Sequence, residues 1–453
     1  MTEPKSRVLV IAYHFPPAGG VKTLRAVKLV KYLGKFGWQP YVLAPRGETK
    51  HAIDHDSLTE IEERCEITRS LILDPLRPLY ALRRWLRRRR PQPNMAPVTL
   101  AKPRTWRRKL LDFFLFPDTS IVWLPTALFT GYRLIKRHRI DIILSTSPPF
   151  SSHLIARLLA KLTRKPLVVD MRDLWIDNPF VQRSTRVHER YGRYLERKVF
   201  RQTGHIVCAT PHLREVIEQT YAVPAEKLSV ITNGFDPADF VGTVEGREDR
   251  FDILHCGSLL YQSGRDPMPL TRGMLLACER DAQFALTAKL TYLGDMDADN
   301  LRPLRALVDK SAWRDRIVYL GSRPHREAVA LTRSASLLLF LGGHEIDSRT
   351  NVMTKNTETH SIAAKIFEYL ASENPILLVA HDCPTVKLTL AAGLGIWCDS
   401  YDPEKVADYL LECFRRFHLQ GERLAPEQEL IKSFSRRDQA GRFAAIFSSL
   451  CSR

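Results

Sequence analysis

Apolar positions along the chain fall into two alternating rhythms. Short runs with a β-branched bias, "RVLVIA" at 7–12, "RIDIILS" at 139–145 and "PLVVD" at 166–170, read as strands. Between them lie stretches such as "SSHLIARLLAKL" at 151–162, whose apolar residues recur at helical spacing. Strands alternating with helices predict parallel βαβ units. The same grammar restarts further on: "FDILHCGSL", "LTYLGD", "RIVYLGS", "SLLLFLG" and "NPILLVA" read as strands, with helices around 324–335 and 361–372. A turn-rich segment at 231–249, "ITNGFDPADFVGTVEGRED", separates the two halves as a linker. The closing "SRRDQAGRFAAIFSSL" is helical and lies beyond the last strand. The fold class is α/β with two domains, 1–240 and 241–435, since 453 residues exceed the roughly 250–300 that one core organises.

The first helix can be read more finely. Lys22, Arg25, Lys28, Lys31 and Lys35 fall on one half of its cylinder and Leu24, Val27, Val30 and Leu33 on the other. One half is core; the other is a basic face without an acid, either solvated or turned to an anionic surface. The whole chain carries a net charge of +18. Twelve Lys or Arg and no acid stand between Arg77 and Lys109, inside a basic insertion at about 74–112. Three readings compete for that insertion: a solvated loop, a nucleic-acid patch, or an anionic membrane surface. Trp85, Trp106 and "LLDFFLFPDTSIVWL" interleave apolar residues with the cations, which favours a membrane interface over a nucleic-acid backbone.

No apolar run reaches the roughly 18 residues that cross a bilayer, and the N-terminus lacks a signal-peptide core. The expected location is therefore cytoplasmic, peripheral at the inner face of the cell membrane if the insertion binds lipid. The eight cysteines have no C-x-x-C spacing, so free, mostly buried thiols are expected and no metal site.

After the first strand comes "YHFPPAGG", residues 13–20. Pro16 and Pro17 stop the strand, and Gly19 and Gly20 lack the Cβ that would keep a ligand from the main chain. Helix amides follow, which favour an anion. A plain tight turn is the alternative. The loop is neither G-x-G-x-x-G nor a Walker pattern, so a dinucleotide or ATP fingerprint is not supported.

"YHFPPAGG", "STSPPFSSHL", "DMRDLWIDNP", "ITNGFD" and "KIFEYLASENPIL", in that order, together resemble glycosyltransferase family 4, retaining nucleotide-sugar enzymes of the GT-B fold. The resemblance implies two Rossmann-like domains facing across a cleft. The acceptor would lie mainly on the N-terminal domain, the nucleotide-sugar donor mainly on the C-terminal one, and the last helix, 436–453, would return to the first domain. It implies a hexosyltransferase acting on a glycan or lipid-linked acceptor in cell-surface polysaccharide biosynthesis. The donor is a substrate, so no cofactor and no metal are implied; an anionic membrane is a possible partner and nucleic acid is not.

Site residues follow. Gly19 and Gly20 would face the donor, with Gly257 and Ser258 of "GSLLYQSGRDP". Arg265 and Lys365 resemble the family's basic residues, which stabilise the leaving diphosphate in place of a metal. Glu368 resembles the helix glutamate that binds the ribose hydroxyls; the glutamate expected eight positions earlier is His360. In the first domain Asp170 and Asp173 follow an apolar strand, where a carboxylate either orients or deprotonates an acceptor hydroxyl or forms an internal ion-pair network with Arg172. His153 opens a helix and either caps it or touches substrate. Asp118 and Trp123 resemble a family signature, Trp123 as packing. With no evident covalent nucleophile, front-face transfer is expected, the diphosphate helping to deprotonate the acceptor. The alternative is a non-catalytic nucleotide-sugar or nucleic-acid binding protein of the same fold, for which His360 is the sequence support.

Overall fold

The computed structural model describes residues 6–46, 56–73, 115–176, 186–242, 249–261, 264–346, 353–356 and 361–452. The basic insertion and His360 lie outside the described residues. The chain forms two compact units, 1–232 with 440–453, and 233–439. The first crossing falls inside the turn-rich segment, and the second lies within the last helix, Arg436–Cys451.

The first unit is built on seven strands: β1 (Ser6–Ile11), β2 (Trp38–Arg46), β3 (Glu66–Leu71), β4 (Ile142–Thr146), β5 (Leu167–Met171), β6 (His205–Cys208) and β7 (Leu228–Val230). All pair in parallel in the order β3-β2-β1-β4-β5-β6-β7. The order reverses between β1 and β4, so the loops after these two strands diverge and leave a crevice at their carboxyl ends. Those loops are "YHFPPAGG" and "STSPPF".

Apolar residues on both faces of β1, β4 and β5 explain their uninterrupted runs, because helices cover both sides. One side carries Leu124–Arg137, Ser151–Thr163, Arg186–Gln202 and Pro211–Tyr221, packed on Leu9, Ile11, Ile143 and Val169. The other carries Val21–Leu33 and the C-terminal helix, whose Ala440, Phe443, Ala444 and Phe447 pack on Val8, Val10 and Leu144. Phe447 meets Trp38 edge to face, with ring centroids 5.2 Å apart.

That second layer corrects the expected basic face of the first helix. Arg25, Lys28 and Lys31 are buried, while Lys22 and Lys35 remain exposed. The helix is covered on more than one side, and the acids it lacks arrive from elsewhere: Glu60 binds both Lys28, at 2.9 Å, and Lys31, and Asp170 binds Arg25. The face is an internal ion-pair seam.

The second unit repeats the plan with β8 (Phe251–Cys256), β9 (Ala288–Leu293), β10 (Ile317–Gly321), β11 (Leu337–Leu341), β14 (Ile376–Val379) and β15 (Gly395–Cys398) in the order β10-β9-β8-β11-β14-β15. A separate antiparallel pair, β12 (His344–Ile346) and β13 (Met353–Asn356), follows β11. The switch point lies between β8 and β11, so Gly257 and Ser258 open the loop beside it. All eight cysteines are free; Cys451 is exposed, Cys256 half-buried and the others buried. Among the described residues no helix is long and apolar enough to cross a membrane.

Candidate functional site

In the first unit the strand ends gather a polar network around Asp170, at the carboxyl end of β5. Arg25 grips it with Nε at 2.9 Å from Oδ2 and Nη2 at 2.7 Å from Oδ1. The Thr146 hydroxyl donates to Oδ2 at 2.8 Å. Arg25 also donates to the carbonyls of Ile231 and Thr232. Both side chains are buried, at 3% and 2% exposure. Burial alone raises the carboxyl pKa, but Arg25 and Thr146 outweigh it and hold Asp170 below the usual range. A carboxylate whose oxygens are taken by a guanidinium and a hydroxyl is no acceptor base. The geometry thus gives Asp170 the ion-pair alternative, with its hydrogen-bonded partner Arg25, 145 residues away, and the charge of the adjacent Arg172 adding to the hold.

Arg172 instead reaches across to the Lys22 carbonyl at 2.8 Å, tying this strand end to the start of the first helix. Asp173 differs from Asp170. Its side chain meets solvent, yet the crowding around it raises its pKa, against the opposing pull of Arg172 and Lys22. Of the two carboxylates it is the one available to a ligand.

His153 is fully buried, and its Nδ1 shares a 2.7 Å hydrogen bond with the Ser145 hydroxyl at the end of β4. Burial lowers its pKa to about 3 despite Asp170 nearby, so the ring is neutral. Its Nε2 is buried without a hydrogen-bond partner among the described residues. Asp118 receives the Ser151 hydroxyl at 2.7 Å and the Ser151 amide at 3.1 Å, securing the start of the same helix. Trp123 is buried and donates to Ser70 at 2.8 Å, a packing role.

The glycine loop is anchored by Arg69, which donates to the Pro16 carbonyl. Gly20 has φ +103, a conformation that side chains avoid, and open space where a Cβ would stand. Its glycine is thus required by the backbone turn into the helix. Gly19 is buried beside it.

In the second unit Lys365 bends back over the end of β8. Its Nζ lies 3.0 Å from His255 Nε2, and a Cβ on Gly257 would stand 3.1 Å from its side chain. His255 is fully buried, and burial, then Lys365, then Arg265, lower its pKa well below that of a free imidazole. Lys365 therefore meets a neutral ring beside Gly257, and the charge of Arg265 is felt there as well. The Arg265 loop is pinned by Asn300, which donates to the Leu259 and Arg265 carbonyls. Three residues after Lys365, Glu368 hydrogen-bonds His325 Nε2 at 2.8 Å. Tyr369 accepts the Cys256 amide at 2.7 Å and donates to the Leu339 carbonyl, locking this short helix to β8 and β11. Among the described residues no group of three or more His, Cys, Asp and Glu is arranged to hold a metal.

Neither His255 nor His325 lies in a motif legible in the sequence, and Arg25 reads there as part of a basic surface. For His255 a signal existed: a histidine near the end of the otherwise apolar "FDILHC".

Residues 96–239 match the model of Glycosyltransferase Family 4, so the resemblance seen in the motifs holds there. No curated protein sequence matches the chain significantly. Among solved structures, a glycosyltransferase from Rickettsia africae superposes with a TM-score of 0.62 at 13% identity, covering 98% of each chain. HepE of Anabaena, solved in complex with UDP, gives 0.60 at 13% identity, covering 98% of this chain and 100% of that one. Sucrose-phosphate synthase from Thermosynechococcus elongatus gives 0.60 at 13%, covering 99% and 100%. The α/β architecture, with its two Rossmann-like units, is that of the GT-B fold.

Proposed function

We propose, from the family 4 match and the GT-B fold, that this chain is a retaining glycosyltransferase. It moves a hexose from a nucleoside-diphosphate sugar to a hydroxyl of a glycan or lipid-linked acceptor in cell-surface polysaccharide synthesis. The observation that carries the reading is Lys365 held between His255 and Gly257, at the strand-order switch of the second unit. That is where an open α/β sheet takes a ligand, and the cations suit a diphosphate. HepE, of the same fold, was solved with UDP.

In this reading the anomeric carbon–oxygen bond to the diphosphate breaks, and charge grows on the leaving oxygen next to Lys365 and Arg265 without any reorganisation of solvent. The acceptor oxygen attacks the same face of the anomeric carbon. Its proton passes to a diphosphate oxygen. Glu368 holds the ribose hydroxyls, and the protein's own cations serve where other enzymes use a metal.

The test is a thermal-shift panel of UDP-, GDP-, dTDP- and ADP-sugars without added metal. A donor at about 100 times its Kd stabilises the fold by about 2.7 kcal/mol. One nucleotide series should shift the melt, and Lys365→Ala and Glu368→Ala should abolish the shift. A panel with no shift at all, followed by no sugar transfer from any donor in extracts, overturns the enzyme reading in favour of a non-catalytic protein of this fold.

A further inference from the structure

Three helices of the first unit, Leu124–Arg137, Ser151–Thr163 and Arg186–Gln202, cover the same face of its sheet. The first packs beside the second and the second beside the third. Together they hold eleven Lys or Arg and two Glu, a net +9 that is half of the chain's +18. One Glu is spent on the face and the other beneath it: Glu189 pairs with Arg193 at 3.2 Å, and Glu196 is buried against Tyr221. On the opposite face of the sheet Lys28 and Lys31 are taken by Glu60 and Arg25 by Asp170, and only Lys22 and Lys35 of that helix's five cations stay exposed.

Large apolar side chains stand among those cations. Phe129 is 65% exposed, Leu162 63%, Val187 60%, Tyr191 51% and Tyr194 48%. On Arg186–Gln202 the exposed positions 187, 190, 191, 194, 197, 198 and 201 follow one helical stripe. Three aromatic rings each carry a cation from their own helix: Arg133 over Phe129 at 5.5 Å, Lys136 over Tyr132 at 5.8 Å and Lys198 over Tyr194 at 4.2 Å.

We propose that this three-helix face is a docking surface for an anionic lipid bilayer. A helix lying at a bilayer interface combines cations at headgroup level with aromatic and aliphatic tips that enter the acyl boundary. Each cation near an anionic surface strengthens partitioning about fivefold. A nucleic-acid backbone would use the cations and leave Phe129, Leu162 and Val187 in water, gaining nothing from them. The proposal does not rest on the donor site, which is in the other unit.

The test is sedimentation of the full chain with vesicles of phosphatidylcholine alone, and with about 30% phosphatidylglycerol added. The protein should pellet with the anionic vesicles only, and high salt should release it. Arg190→Glu with Arg197→Glu and Lys198→Glu should weaken partitioning at least about tenfold. Leu162→Ser with Tyr194→Ser should weaken it several-fold at unchanged charge, with the melting temperature of each variant checked to be that of the parent. Failure to pellet, or equal pelleting with neutral vesicles, overturns the proposal. So does a binding activity untouched by these helix variants and abolished by replacing Arg87 to Arg90. Duplex DNA that competes for the face, with the Leu162/Tyr194 variant binding lipid unchanged, makes it a polyanion site instead and overturns the bilayer assignment. UDP-sugar thermal shifts on the same variants should stay as in the parent, which separates this outcome from that of the donor site.

Discussion

Lys365 Nζ stands 3.0 Å from Nε2 of His255, a ring with no exposed surface. An ammonium only donates, so Nε2 accepts, the ring proton sits on Nδ1, and the ring is neutral. A protonated ring would press two cations together in a poorly hydrated place. His255 thereby aims the lysine on which donor binding is proposed to depend. Hydrogen bonds to charged groups contribute about 1.5–3 kcal/mol, so His255→Leu should weaken donor affinity at least about tenfold, while His255→Gln retains an acceptor and most of the affinity. Titration calorimetry with the nucleotide-sugar that shifts the melt decides it; unchanged affinity in His255→Leu removes this role.

Gly257→Ala should be felt twice. At φ +146 a side chain strains the backbone by the order of 1–2 kcal/mol, and the new Cβ stands 3.1 Å from Lys365. A lower melting temperature together with weaker donor binding is expected. A variant that melts lower but binds as tightly would show that Lys365 does not need this position.

The Arg25–Asp170 pair makes a prediction about stability. Removing one partner of a buried pair leaves an uncompensated charge, at about 3–5 kcal/mol, so Arg25→Met alone should unfold at markedly lower urea. Arg25→Met with Asp170→Asn should recover part of the loss. The carboxyl of Asp170 is held below its ordinary value, so the unfolded chain binds the proton more readily. Its stabilisation is present above the unfolded value near pH 4 and is lost as pH falls through the lower folded value. A urea midpoint in Arg25→Met equal to the parent's would sink the pair as a structural element.

Asp173→Asn and Asp170→Asn should separate function from folding. Exposed Asp173 should leave the melt nearly unchanged and, if it takes the acceptor proton, lower turnover about 10²–10⁴-fold. Asp170→Asn should act through stability. Full turnover in Asp173→Asn would leave the diphosphate as the base.

His153 titrates near 3 in the folded chain and near 6.5 unfolded. Between those values the unfolded state binds more protons, so its contribution costs stability as pH falls, by roughly 1.4 kcal/mol per pH unit at most. His153→Gln should narrow the gap between urea midpoints at pH 7 and pH 4.5 relative to the parent. An unchanged gap would mean that the loss at low pH comes from other groups, the buried His255 among them.

Much of the architecture is written locally. β1, β5, β8, β9 and β11 are apolar runs long enough to announce themselves, and the glycine at φ +103 before the first helix is a backbone requirement visible as "GG". Strands at or toward the sheet edges are harder to see. β3 is "EITRSL" and β7 only "LSV", because an edge buries fewer residues and tolerates polar ones. Lys365, Glu368 and Gly257 share a site that is traceable in sequence, since the first two lie three residues apart and the third follows a strand.

Local pattern says which residues are apolar and what each segment does with its backbone, because both depend on neighbours a few residues away. It is silent on partners. Arg25, Lys28 and Lys31 look like a solvated stripe until Asp170 and Glu60 arrive from 145, 32 and 29 residues along the chain, and until Phe443 of the C-terminal helix packs on Arg25. The exposed cations between Arg133 and Arg201 share one face only because three crossover connections lay their helices side by side on the same side of one sheet. Charge is a property of composition, but whether it is paired or presented depends on which surfaces the topology brings into contact.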